Sequence, residues 1–129
     1  MADNSNRLII VLTTGKQDRG TKATLAFSWG CTALAMGKSV SMFLTMEGTI
    51  WALQNAMKDV AVGGFEPLSN YLEQYLELGG EILVCAPCSL YYCSSDSDNI
   101  QSRLIPNSRM VGLTTVVGMA GPGSSIITF

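Results

Sequence analysis

Two cysteines separated by two residues are the part of this sequence best suited to chemistry. Cys85 closes the apolar run Glu81–Cys85, and Cys88 follows after Pro87. Because proline is favoured in the first turn of a helix, this order predicts a helix that begins directly after a strand. A helix N-terminus carries unpaired N–H groups and a partial positive charge, which stabilise a thiolate and lower its pKa. Cys-x-x-Cys at such a junction therefore indicates sulfur or redox chemistry at Cys85 and Cys88.

Other interpretations of the four cysteines stay open. Cys85 and Cys88 could simply be small buried hydrophobic residues, as cysteines often are. A zinc site needs about four ligands, whereas Cys85, Cys88 and Cys93 supply three and no histidine completes the set. We expect Cys31, in the middle of an apolar helical segment, to be structural. Whether Cys93 takes part in sulfur transfer is left open.

The composition excludes several classes of function. The chain has no histidine, which removes Ser-His-Asp and Cys-His catalysis, haem held by a proximal histidine, and histidine-containing zinc sites. A formal net charge of −2 argues against a nucleic-acid groove, because such a groove needs a basic stripe. Of the 129 residues, 47% are hydrophobic and only 14% are charged, so apolar surface is left over for partner subunits.

The start of the chain and its cysteines predict a cytoplasmic protein. Residues 1–6 are polar and the first apolar run is only Leu8–Leu12, which predicts no signal peptide. No uncharged apolar stretch reaches the roughly 18 residues of a membrane span. Four cysteines without a secretory signal are typical of free cytosolic thiols. We expect one cytoplasmic domain over residues 1–129, without a membrane span.

Three weaker features lie near the ends of predicted strands. Thr13-Thr-Gly-Lys16 lacks the P-loop pattern, so we reject a P-loop and keep only an anion at the next helix N-terminus as an alternative. The seven methionines could form a pliable binding wall, but core filling is the simpler interpretation. Glu47 is expected on the same side as the cysteines, either lining a site or serving as the first-turn acid of a helix.

Hydrophobic patterns predict strands that alternate with helices. The predicted strands are Arg7–Thr13, Lys38–Thr45, Glu81–Cys85 and Ser125–Phe129, with a brief extended piece at Val60–Val62. The predicted helices are Thr21–Met36, Glu47–Met57, Leu68–Leu78, Pro87–Tyr92 and Arg109–Met119, and Ser94–Gln101 is expected to be a polar, flexible loop. Asp18 or Thr21 is expected to cap the first helix, and Gly37 to end it. The alternation implies right-handed βαβ units and a three-layer α/β/α domain, flavodoxin-like, with a mainly parallel sheet of roughly five strands.

The first predicted helix is apolar on nearly every side. A helix that is hydrophobic all round is buried all round. In so small a domain, one side of this helix meets the sheet, and we expect the other side to meet a second subunit.

Several segments, taken in order, carry a resemblance to a known family. They are the Ala-rich helix Ala23–Gly37, the strand end Phe43-Leu-Thr-Met-Glu47-Gly48, the strand Leu78-Gly-Gly-Glu-Ile-Leu-Val-Cys85, and the stretch from Ile105 to Phe129. Together they resemble the DsrE/DsrF-like sulfur-relay family, which includes the TusD-type subunits, over nearly the whole chain. The resemblance implies a DsrEFH-like α/β/α fold assembled as a homotrimer or homohexamer.

The resemblance also implies a role for the first cysteine of the pair. In active members of the family, the cysteine at the position of Cys85 accepts a sulfane sulfur as a persulfide and hands it to a small carrier protein. Cys85 would then be the persulfide site and Cys88 would resolve or share the sulfur, without a cofactor or a metal. Several relatives have Arg and Gly on the helix that follows, where this chain has Tyr91, Tyr92 and Cys93.

Three functions therefore fit the sequence. The leading hypothesis is a sulfur-carrier or sulfurtransferase subunit that holds sulfane sulfur on Cys85 and passes it to an acceptor thiol. The second is a dithiol redox protein in which Cys85 and Cys88 cycle through a disulfide. The third is a non-catalytic assembly or ligand-binding subunit with inert thiols.

Overall fold

The computed structural model describes residues 7–93 and 100–129 as a five-stranded, all-parallel sheet with helices on both faces. The strands are β1 (Arg7–Leu12), β2 (Ser39–Leu44), β3 (Glu81–Cys85), β4 (Arg109–Val111) and β5 (Ser124–Thr128), in the spatial order β4-β3-β2-β1-β5. The helices are α1 (Thr21–Ala35), α2 (Leu68–Glu77), α3 (Ala86–Cys88), α4 (Ile100–Arg103) and α5 (Leu113–Met119). The predicted α/β class with a parallel sheet is confirmed. In the described part of the chain, no helix is long and apolar enough to cross a membrane.

The order of the strands distributes the helices unequally over the two faces. From β1 to β4 each step runs in one direction, so right-handed crossovers place α1 and α2 on the same face. The step from β4 to β5 runs back across the sheet and places α5 on the other face. The core beneath α1 and α2 contains fully buried Ile10, Trp51 and Tyr75. A smaller core beneath α5 contains Leu83 and Val116, which completes the three layers.

The start of α1 is capped as expected. Asp18 accepts the N–H of Gly20 at 3.1 Å through one carboxylate oxygen and the N–H of Lys22 at 3.0 Å through the other. These two amides are therefore bonded to a carboxylate of the chain itself, which argues against the anion considered for this terminus. Gly37 ends the helix with φ +89°, a left-handed conformation that glycine adopts without strain.

The region predicted as the single helix Arg109–Met119 is divided in two, and that prediction is wrong. Its first three residues form β4, which pairs in parallel with the end of β3. Because the free edge of β3 offers backbone hydrogen-bond partners, strand pairing prevails over the helical pattern there. Gly112 then provides the extended residue that precedes α5.

The segment after β2 is tighter than predicted. Instead of a helix over Glu47–Met57, Met46–Ala52 forms a 3₁₀ helix. The N–H of Gly48 bonds to the carbonyl of Thr45, three residues back, at 2.9 Å. Val60–Val62, predicted as a brief extended piece, belongs to no strand. The chain after β2 therefore folds back close to the sheet edge before it enters the turns that lead to α2.

The segment after β3 also differs from the prediction. The helix expected over Pro87–Tyr92 begins as α3 and continues as a π-helical turn over Ser89–Cys93. Residues 94–99 of the loop predicted over Ser94–Gln101 lie outside the described residues. The last two residues of that predicted loop belong to α4, because Ile100 is buried in the larger core.

Candidate functional site

Cys85 and Cys88 lie at the carboxyl ends of β3 and β4, where the chain leaves these two neighbouring strands toward opposite faces of the sheet. The chain leaves β3 toward the face that carries α1, and it leaves β4 toward the face that carries α5. In open parallel sheets, ligands bind at such a crevice, beyond the carboxyl ends of the strands. Cys85 is the last residue of β3 and pairs with Val111 of β4, and Cys88 lies in the first helical turn after it. The predicted strand-to-helix junction is confirmed.

Cys85 is the more buried thiol of the pair. Only 6% of the residue is exposed, and it packs in the smaller core with Phe43 and Leu83. Burial raises the pKa of the Cys85 thiol, and the neighbouring Cys88 sulfur raises it further. The N–H of Cys88 at the helix N-terminus acts in the opposite direction but is outweighed. The lowered pKa expected at this helix N-terminus does not hold for Cys85, because desolvation prevails over the helix terminus.

Cys88 is half-buried and lies among hydrogen-bond donors. The backbone N–H of Met46 donates to Cys88 Sγ at 3.2 Å, and the Thr45 hydroxyl lies 3.7 Å from the same sulfur. Burial by itself would raise the pKa of the Cys88 thiol. The neighbouring Cys85 thiol, the hydrogen bonds with Thr45 and the Met46 N–H, and the nearby Thr49 side chain together outweigh burial and lower it. Cys88 is therefore the sulfur of the pair that is stabilised as a thiolate.

These donors are held by the short segment Thr45–Thr49, which closes over the end of β1. Met46 has φ +51°, a left-handed conformation that costs a non-glycine residue on the order of 1 kcal/mol, and this aims its N–H at the sulfur. Gly48 donates to the carbonyl of Thr13 at 3.1 Å. A side chain at position 48 would collide with the Leu12 carbonyl, so only glycine allows this close approach.

Glu47 lies at the same edge as the cysteines, as expected. Partial burial raises the pKa of the Tyr92 hydroxyl, and the carboxylate of Glu47, the Tyr91 hydroxyl and the sulfur of Cys88 raise it further. Tyr91 itself is 82% exposed, and its ring packs edge-on against Tyr92 with centroids 4.8 Å apart. The Tyr92 hydroxyl is thus near both the carboxylate of Glu47 and the sulfur of Cys88.

The remaining two thiols donate hydrogen bonds instead of receiving them. Cys93 Sγ donates to the carbonyl of Thr49 at 3.5 Å, and burial together with the nearby Cys88 raises the pKa of the Cys93 thiol. Cys31 is buried between α1 and α2, as expected for a structural residue, and donates to the carbonyl of Tyr71 at 3.3 Å. Within residues 7–93 and 100–129, all four cysteines are free, and no group of three His, Cys, Asp or Glu residues could hold a metal ion.

The residues that surround Cys88 were not predicted from the sequence. Thr45, the Met46 amide and Thr49 were given no part in the site. One signal was present, because Thr45 ends the strand before that of Cys85 and the carboxyl ends of parallel strands meet at one edge.

The methionines have two different roles. Met42 and Met57 fill the core, whereas Met46 is 53% exposed beside the thiols.

The thiol pair lies on a fold that two solved structures share. The crystal structure of the ychN protein from E. coli superposes with a TM-score of 0.68 at 13% identity, covering 96% of this chain and 99% of that one. A conserved protein of unknown function from Bacteroides thetaiotaomicron, BT1422, superposes with a TM-score of 0.62 at 14% identity, covering 100% and 98%. None of the curated proteins matches the sequence. The family model for the DsrE/DsrF-like family matches residues 6–129, and the chain therefore belongs to that family, which is linked to sulfur relay.

Proposed function

We propose that this protein is a sulfur-carrier subunit in which Cys88 takes up sulfane sulfur as a persulfide and passes it to an acceptor thiol. The observation that carries the proposal is the hydrogen bond from the Met46 N–H to Cys88 Sγ. This N–H, together with the Thr45 hydroxyl, stabilises a negative charge on that sulfur. Thiolates, and not thiols, are the nucleophiles in sulfur exchange. Membership in a family linked to sulfur relay supports the same chemistry.

The proposed reaction needs only the thiolate and a sulfane donor. The Cys88 thiolate attacks the outer sulfur of a donor persulfide, R–S–SH. One S–S bond forms on Cys88, and the bond to the donor breaks, so that the donor leaves as R–S⁻. An acceptor thiolate later attacks the outer sulfur on Cys88 and regenerates the Cys88 thiolate. Cys88 is a good leaving group in that second step, because a thiol of lower pKa leaves faster.

This proposal reverses the roles that the resemblance implied for the two cysteines. The family resemblance implied a persulfide on Cys85 and a resolving or sharing role for Cys88. Cys85 is 6% exposed, and burial keeps its thiol protonated, so it is the poorer nucleophile for a donor from outside. We propose instead that the Cys85 thiol supports the Cys88 thiolate by donating a hydrogen bond to it.

A dithiol redox protein is the second candidate. The packing of Cys88 against the smaller core that contains Cys85 favours it, since the two residues are already neighbours. Such a protein would exchange electrons with a substrate disulfide and would need both sulfurs. A sulfur carrier would still load sulfur when Cys85 is replaced.

We also propose that the protein acts as a cytoplasmic homo-oligomer, a trimer or hexamer, that delivers sulfur to a small carrier protein. The outer side of α1 supports the oligomer, because Trp29 is 45% exposed and Met36 is 70% exposed. Both border a groove of about 630 Å³ between α1 and β5. Light scattering should give a mass of three or six chains, and a monomer would contradict this part of the proposal.

The experiment that tests the carrier function is intact mass spectrometry after exposure of the reduced protein to polysulfide. The wild type and Cys31→Ser, a control whose altered thiol lies between α1 and α2, should each gain one sulfur, 32 mass units. Cys88→Ser should gain none, and Cys85→Ser should still gain one. If no form gains sulfur, the inert subunit is favoured. If Cys85→Ser does not gain sulfur, Cys85 is the persulfide site.

A further inference from the structure

The pair of thiols in the crevice can do more than hold sulfur. Cys85, the last residue of β3, is the N-cap of α3, and Cys88 lies in the first turn of that helix and packs against the smaller core that contains Cys85. A disulfide needs Cα atoms about 4.4–6.8 Å apart and Cβ atoms about 3.5–4.5 Å apart, so only cysteines that are close neighbours in the fold can form one. Pro87 fixes the backbone of the turn between them.

We infer that Cys85 is a resolving thiol, which attacks the Cys88 persulfide, closes a Cys85–Cys88 disulfide and releases the carried sulfur as hydrogen sulfide. This inference rests on the proposed function, because it takes the Cys88 persulfide as its substrate. It adds a second fate for the sulfur, which is discharge as sulfide when no acceptor thiol arrives.

The step balances without a further reactant. The Cys85 sulfur forms a bond to Cys88 Sγ, and the bond from Cys88 Sγ to the outer sulfur breaks. The outer sulfur leaves with the bonding electron pair and takes the proton of the Cys85 thiol, giving H₂S. The outer sulfur is thereby reduced, and the Cys85 sulfur is oxidised to a disulfide. A small dithiol reductant then restores both thiols by disulfide exchange.

The surroundings of Cys85 favour this step over transfer of the sulfur onto Cys85. Cys85 is packed in the smaller core with Phe43, Leu83 and Val116. An outer sulfur bound to Cys85 would therefore need additional space in that core. Cys88 packs against the same core, so a disulfide joins two residues that are already neighbours there. Burial also raises the pKa of the Cys85 thiol, which keeps the attack slow and leaves time for an acceptor.

The other described cysteines are less suited to resolve the persulfide. Cys93 Sγ donates a hydrogen bond to the carbonyl of Thr49. Cys31 lies in the larger core, on the other side of the sheet from Cys85, and donates a hydrogen bond to the carbonyl of Tyr71. Cys31 is therefore the matched control for the test, since its replacement removes one buried thiol without altering the crevice.

The test follows the loaded protein after removal of free polysulfide. Intact mass spectrometry measures the persulfide, peptide mapping measures the disulfide, and a colorimetric assay measures sulfide. In the wild type and in Cys31→Ser, loss of the 32 mass units should coincide with a Cys85–Cys88 disulfide and one sulfide per chain. In Cys85→Ser and Cys85→Ala the persulfide should last at least about tenfold longer, because the attack within the chain is lost.

Two results would overturn the inference while leaving the carrier function intact. One is that loaded Cys85→Ser and Cys85→Ala release sulfide as fast as the wild type. The other is that the disulfide joins Cys88 to Cys93. If the wild type never gains sulfur, the proposed function fails and the resolving step fails with it. Loading of either Cys85 variant also shows that its crevice is folded.

Discussion

Cys88 and Cys31 show how the direction of a hydrogen bond decides what a cysteine can do. Both are at least partly buried thiols that contact backbone groups. The Cys31 thiol donates to the carbonyl of Tyr71, and burial followed by the charge of Glu66 raises its pKa. Cys88 receives the N–H of Met46, and its pKa is lowered. A sulfur that donates a hydrogen bond is stabilised as a neutral thiol, whereas a sulfur that accepts one is stabilised as a thiolate.

The largest expected effect is on the rate of alkylation. At neutral pH, iodoacetamide should modify native Cys88 much faster than Cys31, because only the thiolate reacts. Cys88→Ser should abolish the fast phase, and Cys31→Ser should leave it unchanged. Since the Cys88 pKa is lowered, its rate should become half-maximal at a lower pH than that of an ordinary thiol. Equal alkylation rates for Cys88 and Cys31 in the native protein would contradict the stabilisation of Cys88 as a thiolate.

A smaller effect is expected from Gly48→Ala. The added methyl group would collide with the Leu12 carbonyl, so the segment that carries the Met46 N–H must shift away from Cys88. Loss of this donor should raise the Cys88 pKa by about one unit and slow alkylation at neutral pH about tenfold. The collision should also lower the free energy of unfolding by about 1–3 kcal/mol.

The matched control for that change is Gly63→Ala. Gly63 has open space around its Cα and no left-handed conformation, so its replacement should alter neither the rate nor the stability appreciably. Rapid alkylation of Cys88 in folded Gly48→Ala would mean that the Met46 amide does not set the pKa of this thiol.

The smallest effect is expected from Thr45→Val, which keeps the shape of the side chain and removes its hydroxyl. A neutral hydrogen bond contributes about 0.5–1.5 kcal/mol, so the Cys88 pKa should rise by about half a unit and alkylation should slow about threefold. Thr32→Val, on the exposed side of α1, is the control. An unchanged rate in Thr45→Val would leave the backbone donor and the Cys85 thiol as the stabilising groups.

Much of the fold could be predicted because it depends on local patterns. The run Arg7–Leu12 is apolar on both faces and forms a strand, and Asp18 caps α1 through a contact between near neighbours. The prediction failed at Arg109–Val111, where the residue pattern suits a helix but the free edge of β3 provides the partner. Pairing across the sheet is a property of the folded chain and leaves no local signal.

The candidate site divides in the same way. The sequence located Cys85 at the end of a strand and Cys88 in the helical turn that follows, and both positions are confirmed. It predicted a lowered pKa at the helix N-terminus without deciding between Cys85 and Cys88, because burial beneath another element is not visible in the sequence. The donors to Cys88 come from the neighbouring strand end, about 40 residues earlier in the chain.

The sequence by itself determined the alternation of strands and helices, the membership of the family and the spacing of the two thiols. These depend on residues close together along the chain or on the order of segments. Only the tertiary structure decided which sulfur is stabilised as a thiolate. That choice depends on the burial of Cys85 beneath α5 and on the approach of the Met46 amide to Cys88. Both result from chain segments that meet only when the sheet is assembled.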